Sequence, residues 1–323
     1  MFTYFDNQEP KETVYTVAFY NLDNLFDIYD DPDTLDDDFT PQGEKHWTLR
    51  RYKNKLNKIS DVLVQLGVQH SQTVPVLIGL AEVENETVLI DLINTKKLAP
   101  HHYGFAHFES PDERGIDVAL LYQKKYFELI DAQKHPVLLY DEHGNRDFTR
   151  DILKVKGYLN GELIYAIVNH WPSRRSGMDV SEKKRIIAAG VVHDIIDEIH
   201  RDTPDAKIII MGDFNDGPHS ISIQKHLVTD DFFNPMAYLK DKGEGTSTYN
   251  DEWFLFDQII FSKNFLNSKP QTHVFKYADV FDPKFVRTWK GKRKNKPFRT
   301  FIGRWHQGGY SDHFPVFAYL EKK

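Results

Sequence analysis

Cysteine is missing from all 323 residues of the chain. Disulfide bonds therefore add nothing to its stability, and neither a thiol nucleophile nor a thiolate metal site is available. Any metal ion has to be held by other ligands, which favours the hard cations that oxygen atoms bind. The lack of cysteine does not by itself identify the compartment.

Long apolar runs are also missing. No run approaches the ~20 residues that a helix needs to cross a bilayer. The first residues lack the basic start and apolar stretch of a signal peptide. We therefore expect a cytoplasmic protein without stable membrane association, and export would require a leader ahead of this sequence.

The chain also lacks a strong excess of charge of one sign. The formal net charge is -7, which argues against a protein coated with nucleic acid over its whole surface but is compatible with a local basic patch. Hydrophobic residues make up 40% of the chain, which provides for a sizeable core and excludes wholesale disorder. A monomer is the simplest expectation.

Strand-like and helix-like patterns alternate along the chain. The patterns predict strands at 14–20, 76–80, 118–122, 163–169, 207–212, 255–261 and 314–320, and helices at 51–66, 86–97 and 181–200. No repeat or linker divides them, which predicts a polar tail over residues 1–13 and a single domain over 14–323. The interleaving predicts α/β layers, with two packed sheets and helices outside them.

Six segments place Asn, Asp, Glu or His where an apolar strand ends. They are Asn21-Leu22-Asp23, Glu82-Val83-Glu84, Asn169-His170, Asp213-Phe214-Asn215, Asp257-Gln258-Ile259 and Asp312-His313-Phe314-Pro315. Strand ends are where an α/β scaffold holds side chains against a cleft. Each segment alone is a weak signal, but six in one chain indicate a site.

The residue types indicate the chemistry. Carboxylate and amide oxygens suit Mg²⁺ or Mn²⁺, and two histidines flanked by acids suit an acid–base pair near neutral pH. An asparagine beside an aspartate binds a phosphate oxygen without adding negative charge. Together these features favour phosphate ester hydrolysis, in which positioning and charge neutralisation dominate.

The order of these motifs resembles the endonuclease/exonuclease/phosphatase superfamily. The most specific part is the Gly-Asp-Phe-Asn motif at 212–215 followed by Ser-Asp-His-Phe-Pro at 311–315. The resemblance extends from about residue 14 to residue 320. It implies a four-layer α/β sandwich of two mixed β-sheets flanked by helices, with the site at one end of the sheets.

The resemblance also implies a metal site. Glu82 matches the principal metal ligand of the superfamily. Asn21 and Asp23 match a pair on the first strand that lies beside the metal, and Asp312 matches a further acid near it. The implied cofactor is Mg²⁺, with Mn²⁺ as a possible substitute.

The catalytic roles carry over in the same way. His313 matches the histidine that activates the attacking water or contacts the phosphate, and Asp257 matches the acid that orients that histidine. Asp213 and Asn215 match the pair that binds the phosphate. His170 matches the second histidine of the deoxyribonuclease branch, which protonates the leaving oxygen.

Arginines near His170 complete the implied set. Arg150 resembles the phosphate-contacting arginine that precedes the same strand in deoxyribonucleases. Arg174 and Arg175 either grip a second phosphate or belong to a solvated loop.

Three positions keep two interpretations each. Asp117 either orients His170 or caps a strand. Glu84 competes with Glu82 as the metal ligand, and we favour Glu82. Trp171 is expected to pack in the core rather than stack on substrate.

Two stretches carry concentrated charge. Residues 27–38 are rich in aspartate but lack the ligand spacing of a calcium loop, so we expect a solvated loop. Residues 284–304 contain nine lysines and arginines and no acid, with Trp289, Phe298 and Phe301 among them. That mixture suits a phosphate backbone and its bases, and an ordinary solvated loop is the alternative.

The sequence identifies the type of reaction more closely than it identifies the substrate. A nuclease is the first expectation, because of residues 284–304, Arg150 and the His170 match. A phosphatase acting on inositol phosphates, phospholipids or other small phosphate esters is the second. A sphingomyelinase is third, since no apolar membrane-facing hairpin is visible. A catalytically inactive binding protein of the same fold remains as the alternative from a different class.

Overall fold

The computed structural model describes residues 13–71, 73–174 and 177–323. This part of the chain forms twelve strands in two large sheets, six short strands in hairpins, and five α-helices. The strands of the large sheets are β1 (Val14–Leu25), β2 (Leu77–Val83), β3 (Tyr103–His107), β4 (Asp117–Gln123), β5 (Phe127–His135), β8 (Ile152–Leu159), β9 (Glu162–His170), β10 (Lys207–Asp213), β11 (Phe232–Phe233), β14 (Asp257–Ser262), β15 (His273–Val280) and β18 (Val316–Lys322).

Three hairpins lie outside the large sheets. They pair β6 (Leu139–Tyr140) with β7 (Arg146–Asp147), β12 (Ser247–Tyr249) with β13 (Glu252–Phe254), and β16 (Phe301–Ile302) with β17 (Trp305–His306). The helices are α1 (Leu49–Leu63), α2 (Glu86–Ile93), α3 (Met178–Asp202), α4 (Ile221–Gln224) and α5 (Pro235–Asp241).

Both large sheets are mixed and have the same plan. The first has the order β15-β18-β1-β2-β4-β3, and the second has the order β11-β14-β10-β9-β8-β5. In each sheet one central pair is parallel, β1 with β2 and β9 with β10, and the other neighbours are antiparallel. Parallel strands end at the same edge, which places the polar strand ends of each sheet together.

The two sheets pack face to face. Gly79 on β2 lies in close contact with the other sheet, because a Cβ atom there would fall 2.5 Å from Met211 Sδ on β10. The buried residues of the inner faces belong to one hydrophobic cluster, which also includes Leu56 and Ile59 of α1. Glycine at position 79 therefore allows the close approach on which the docking of the sheets depends.

Helices cover the outer faces. Helices α1 and α2 pack against each other and join the cluster of the first sheet. A second cluster forms where α3 covers the second sheet, with Ala188, Val192 and Ile195 against Ile208 and Ile210. The arrangement is helix, sheet, sheet, helix, so the predicted four-layer α/β sandwich is confirmed.

Several strands were not evident in the sequence. Strands β3, β5 and β15 lie at or towards sheet edges, where a solvated face interrupts the apolar pattern. Strand β8 is interior but contains Lys154, whose Nζ lies 2.5 Å from Glu198 Oε1 on α3. A paired lysine inside a sheet breaks the apolar run on which a sequence-based prediction rests.

The aspartate-rich loop over residues 27–38 is mostly exposed, as predicted, and two of its aspartates are buried. Asp36 is buried, and its carboxylate accepts the backbone N–H of Asp31 at 3.2 Å. Asp27 accepts the N–H of Tyr29 and the side-chain amide of Asn85. These bonds tie the loop to its own backbone and to the start of α2.

No helix among the described residues is long and apolar enough to cross a membrane.

Candidate active site

The polar motifs converge on one edge of both sheets. In the second sheet, Asp213 lies opposite His170 on β9 and opposite Asp257 on β14, so three of the predicted side chains start from adjacent strands. Asn21 on β1 reaches across from the first sheet, and its Nδ2 donates to Asp213 Oδ2 at 2.9 Å. This hydrogen bond joins the two sheets within the site.

His313 and Asp257 form a buried pair. His313 Nδ1 lies 2.6 Å from Asp257 Oδ2, and His313 Nε2 lies 3.9 Å from both Asp213 Oδ2 and Asp312 Oδ1. Burial lowers the pKa of His313, but the charges of Asp257, Asp213 and Asp312 outweigh it and raise this pKa well above its usual value. These carboxylates therefore favour the protonated form of the imidazole.

A short hairpin supports this pair from behind. Thr246 accepts the N–H of Phe314 through its carbonyl at 2.7 Å, and its hydroxyl accepts the N–H of Asp257 at 3.4 Å. Ser247 Oγ donates to the carbonyl of Asp312 at 3.2 Å. Neither residue belongs to a recognisable motif, and their role depends on the tertiary fold.

His170 occupies the opposite side of Asp213. Its Nε2 lies 3.7 Å from Asp213 Oδ2 and 3.9 Å from Glu82 Oε1. Burial, together with the positive charges of Arg150 and Arg114, lowers the pKa of His170 well below its usual value. The two histidines therefore differ. The surroundings of His170 favour its neutral form, whereas the surroundings of His313 favour its protonated form.

Three carboxylates gather on the first-sheet side. Glu82 ends β2, Asp23 lies near the end of β1, and Asp312 precedes β18. Burial, followed by the negative charges of Asp312 and Glu82, raises the pKa of Asp23 to about 6. The carboxylates thus repel each other, which is the arrangement that a bound cation relieves.

The backbone is strained where these side chains leave the sheets. Asp23, Asn24, Glu82 and Asn215 have φ values of 53°, 57°, 61° and 51°. Left-handed backbone at a residue other than glycine costs about 1–3 kcal/mol and is concentrated at functional sites. The strand pairing shifts register at the same places, between Asn21 and Leu25 and after Ala81. These irregularities turn the polar side chains towards the cleft.

Two cations border the carboxylates: Lys55, which the sequence analysis missed, and Arg299, which it counted only as part of the basic stretch at 284–304. Lys55 is 1% exposed, and its Nζ donates to Thr300 Oγ1 at 2.5 Å, to the Tyr310 carbonyl at 2.7 Å and to the Asp23 carbonyl at 3.2 Å. Arg299 Nη2 donates to Asp312 Oδ2. A signal for Lys55 existed, because it lies three residues after buried Tyr52 and therefore on the buried face of α1.

A clamp around Asp216 holds Asn215. Asp216 accepts Arg185 Nε at 2.5 Å and Arg174 Nη2 at 2.7 Å. Asn215 donates its Nδ2 to the Trp171 carbonyl at 2.9 Å, and its own carbonyl accepts Arg174 Nε at 2.9 Å. These contacts lock the loop after β10 to the loop after β9.

Comparison with known proteins identifies the family. A model described as Endonuclease/Exonuclease/phosphatase family matches residues 16–322. The chain belongs to this family. One curated relative, Protein angel of Drosophila melanogaster, is 29% identical over 182 residues, which are 52% of this chain and 47% of that protein. The chain therefore spans about half the length of that relative.

Solved structures of the family share the fold. D. rerio TDP2 complexed with a single-strand DNA product is 13% identical, with a TM-score of 0.58, and the match covers 96% of this chain and 100% of that one. The mannosyl-6-phosphatase of Bacteroides thetaiotaomicron is 17% identical, with a TM-score of 0.57, and the match covers 95% and 99%. At these identities the likeness shows the fold alone.

Two of the three arginines from the sequence analysis, Arg150 and Arg174, lie among the described residues. Arg150 is buried, and its guanidinium donates to Asp112 Oδ2 at 3.0 Å and to the carbonyls of His170 and Trp171. It therefore supports the His170 segment from within. Arg174 is committed to the clamp, and Arg175 lies outside the described residues. Their predicted contacts with substrate remain predictions.

The residues with two interpretations are also located. Asp117 accepts the N–H of Ser110 at 3.0 Å, so it fastens the start of β4 rather than His170. Glu84 accepts the N–H of Asp27 at 2.5 Å, away from the three carboxylates, which leaves Glu82 as the acid of the site. Trp171 is buried and packs against Phe214, with ring centroids 4.8 Å apart.

Proposed function

We propose that this chain hydrolyses phosphodiester bonds in nucleic acid with the help of Mg²⁺ or Mn²⁺. The observation that carries the proposal is the buried His313–Asp257 pair facing Asp213 and His170, with the carboxylate of Glu82 on the far side. Two histidines beside one aspartate can accept and donate the protons that move when a phosphate ester is hydrolysed.

The residues present fit a divalent cation. Glu82, Asp23 and Asp312 offer only oxygen atoms, which Mg²⁺ and Mn²⁺ prefer, and their mutual repulsion raises the pKa of Asp23. Family members generally use divalent metals. Asn21 is less available as a ligand, because its Nδ2 binds Asp213 and its Oδ1 accepts the N–H of Asp23. It bridges the two halves of the site.

Among the described residues, a different group of acids and a histidine has ligand atoms that lie close together. One ligand atom each from Asp213, Asp257 and His313 lies within 4.8 Å of the others. His313 Nδ1 is already engaged at 2.6 Å by Asp257, and this contact suits a base and its orienting acid better than two metal ligands. We therefore assign the metal to the side of Glu82 and proton transfer to this group.

The attacking water is activated by His313. Its Nε2 accepts the proton of the water when the imidazole is neutral, and the positive charge of a bound divalent cation would favour that neutral form by offsetting the nearby carboxylates, which raise the pKa of His313. Asp257 then stabilises the imidazolium that results. A positioned base of this kind contributes about 10²–10⁴ in rate. A divalent cation bound at Glu82 would add charge neutralisation at the phosphate oxygens.

The phosphate and the leaving oxygen are bound on the side of Asp213 that faces Asn215 and His170. Asn215 holds the phosphate, with Asp213 fixing its backbone N–H at 2.9 Å. His170 meets the departing oxygen. Its low pKa applies to the site without substrate, and the negative charge of a bound phosphate raises the pKa of a neighbouring imidazole. A proton then becomes available at Nε2 when substrate is bound.

The choice of nucleic acid rests on residues 284–304, here called the basic segment. It borders the site directly, because Arg299 binds Asp312 and the N–H of Thr300 donates to Asp23 Oδ2 at 3.1 Å. Trp289 is 70% exposed, and Trp305 immediately after the segment is 77% exposed. Cations and exposed indoles beside a phosphoesterase site suit a polyanion with stackable bases.

A small phosphate ester is the second candidate. The similarity of the fold to a mannosyl-6-phosphatase supports it, whereas the similarity to TDP2 complexed with single-strand DNA product supports the first. The exposed tryptophans favour nucleic acid, since a small sugar phosphate offers no base to stack on them. A soluble monomeric protein of the cytoplasm remains our expectation.

The test compares substrates under metal control. Purified protein is incubated with Mg²⁺ or Mn²⁺, and with EDTA instead, against plasmid DNA, single-stranded DNA, RNA and soluble inositol and sugar phosphates. His313→Ala is run in parallel, with His219→Ala as the matched control, because the side chain of His219 is half exposed and pairs with Asp241 outside the site.

We expect cation-dependent cleavage of nucleic acid that His313→Ala abolishes and His219→Ala retains. The product ladder then distinguishes an endonuclease from an exonuclease. Release of phosphate from the small esters, with nucleic acid left intact, would reject the nuclease and support the second candidate. Activity of wild type in EDTA would reject the assignment of a metal to Glu82.

A further inference from the structure

A groove lies along the amino-terminal half of α1, outside the residues assigned to catalysis. It has a volume of about 980 Å³, and its lining includes His46, Arg50, Arg51, Lys53, Asn54 and His306. None of the described residues that line it is acidic. The nearby Glu44 pairs with Arg304, so it does not offset the charge of the groove.

The groove is connected to the active site through Thr300. The N–H of Thr300 donates to Asp23 Oδ2 at 3.1 Å, and the carbonyl of the same residue accepts the N–H groups of Gln307 and Gly308. A Cβ atom at Gly308 would lie 3.3 Å from His306 Cε1 and 3.8 Å from Asn54 Nδ2, both in the groove lining. The backbone of Thr300, near the end of the basic segment, therefore has the active site on one side and the groove on the other.

The β16–β17 hairpin carries an exposed indole next in sequence to His306, which lines the groove. Phe301 on β16 packs against Trp47 and Phe39, with ring centroids 5.8 and 5.9 Å apart, and His306 on β17 packs against Phe301 at 5.1 Å. The base of the hairpin is thereby anchored in the core. Trp305, which lies opposite Ile302 in the hairpin and next to His306 in the sequence, is 77% exposed.

The local potential is positive. Burial lowers the pKa of His306, and the charges of Arg51, Lys55 and Lys58 lower it further. Lys58 lies over the ring of Tyr310 at 4.2 Å, on the same helix as the groove residues. A run of cations on one helix beside an exposed indole is the combination with which proteins bind unpaired nucleic acid.

We propose that this groove holds a single-stranded stretch of the nucleic acid whose phosphodiester bond lies in the active site. The inference rests on the proposed function. The cations of α1 contact the phosphates, and Trp305 stacks on a base. Short substrates reach only the catalytic residues and the basic segment, whereas longer strands continue past Thr300 onto α1.

Binding is measured with fluorescein-labelled oligothymidylates of about 4 and about 16 nucleotides, which bracket typical single-strand footprints. EDTA prevents cleavage, and fluorescence anisotropy is recorded over a salt series. Arg50→Glu/Lys53→Glu is compared with Lys263→Glu/Lys269→Glu, which changes the net charge equally. All four side chains are exposed, and the control pair follows the end of β14 that is remote from Asp257.

We expect the groove variant to bind the longer strand about tenfold or more weakly, and the slope of its salt dependence to fall by about 0.7 for each phosphate that it no longer neutralises. Trp305→Ala is expected to weaken the longer strand by about tenfold as well. In Mg²⁺, the ratio of cleavage rates on the longer and shorter strands falls in both. The control pair retains this ratio.

Equal reductions of affinity in the groove variant and the control pair would overturn the proposal, because the effect would then reflect total charge. Tighter binding of a duplex than of a single strand of equal length would overturn the assignment to unpaired nucleic acid. If wild type neither binds nor cleaves any polynucleotide, the proposed function itself fails. If wild type cleaves nucleic acid but no substitution changes the ratio of rates on the longer and shorter strands, the proposal for the groove fails and the proposed function stands.

Discussion

Asparagine in place of Asp257 tests the central pair of the site. The aspartate is fully buried, and its Oδ2 lies 2.6 Å from His313 Nδ1. Asparagine has almost the same shape, so packing is retained while the negative charge is removed. That charge stabilises the imidazolium that forms when His313 takes the proton of the water. The substitution therefore acts on the transition state more than on the fold.

The expected reduction in rate follows from the hydrogen bond. A hydrogen bond to a charged group contributes about 1.5–3 kcal/mol, which corresponds to roughly 10- to 150-fold in kcat at about 1.36 kcal/mol per factor of ten. A larger reduction, approaching about 10⁴, follows if the amide N–H of the asparagine faces Nδ1, because His313 then carries its proton on the nitrogen that has to accept one.

The assay is initial-rate hydrolysis of a short oligonucleotide in Mg²⁺ over a pH series. Asp230→Asn, at an exposed position, is the control for the charge change. Because the charge of Asp257 raises the pKa of His313, the acidic limb of the profile moves to lower pH in Asp257→Asn. A reduction smaller than about tenfold, with the acidic limb in its original place, would refute the role given to this pair.

Three further substitutions test the frame around the site. Gly79→Ala brings a methyl group against Met211 and is expected to lower the free energy of unfolding by about 1–3 kcal/mol; an unchanged urea midpoint would contradict the close docking of the sheets. Lys55→Met leaves a hydroxyl and two carbonyls without their donor and is expected to cost about 1–3 kcal/mol in thermal unfolding, whereas equal stability would show that water replaces the ammonium. Burial lowers the pKa of His273, and the Glu162 carboxylate opposes this shift; the unfolded state therefore binds the proton more tightly, and stability falls as pH drops below about 6.5. In Glu162→Gln the urea midpoint should fall more steeply with acidification, and parallel profiles would argue against the coupling.

Much of the candidate site was predictable because its polar residues stand where apolar strands end in the sequence. Asp213 comes directly after an apolar run, and the register of β10 with its neighbours brings it beside His170 and Asp257. A sequence pattern carries that information, since parallel strands of similar length end at one edge. The choice of Glu82 over Glu84 agrees with the geometry as well.

The remaining features depend on contacts between distant segments. Arg150 was expected to contact phosphate, and that prediction remains; its hydrogen bond to Asp112, a residue 38 positions away in the chain, could not be read from a motif. Thr246 supports Asp257 from a hairpin that has no motif. Lys55 was detectable as a lysine on an apolar helix face, yet its three acceptors could not be predicted, because two of them lie about 250 residues further along the chain.

The order of the strands has a consequence for synthesis. The second sheet is built from one continuous stretch, β5 to β14, whereas the first sheet combines β1 to β4 with β15 and β18. His313 precedes β18, which pairs along its length with β1. A ribosome therefore has to complete this last strand before the base of the site can meet its aspartate. Until β18 has paired with β1, an unfinished chain holds His170, Asp213 and Asp257 without His313 beside them.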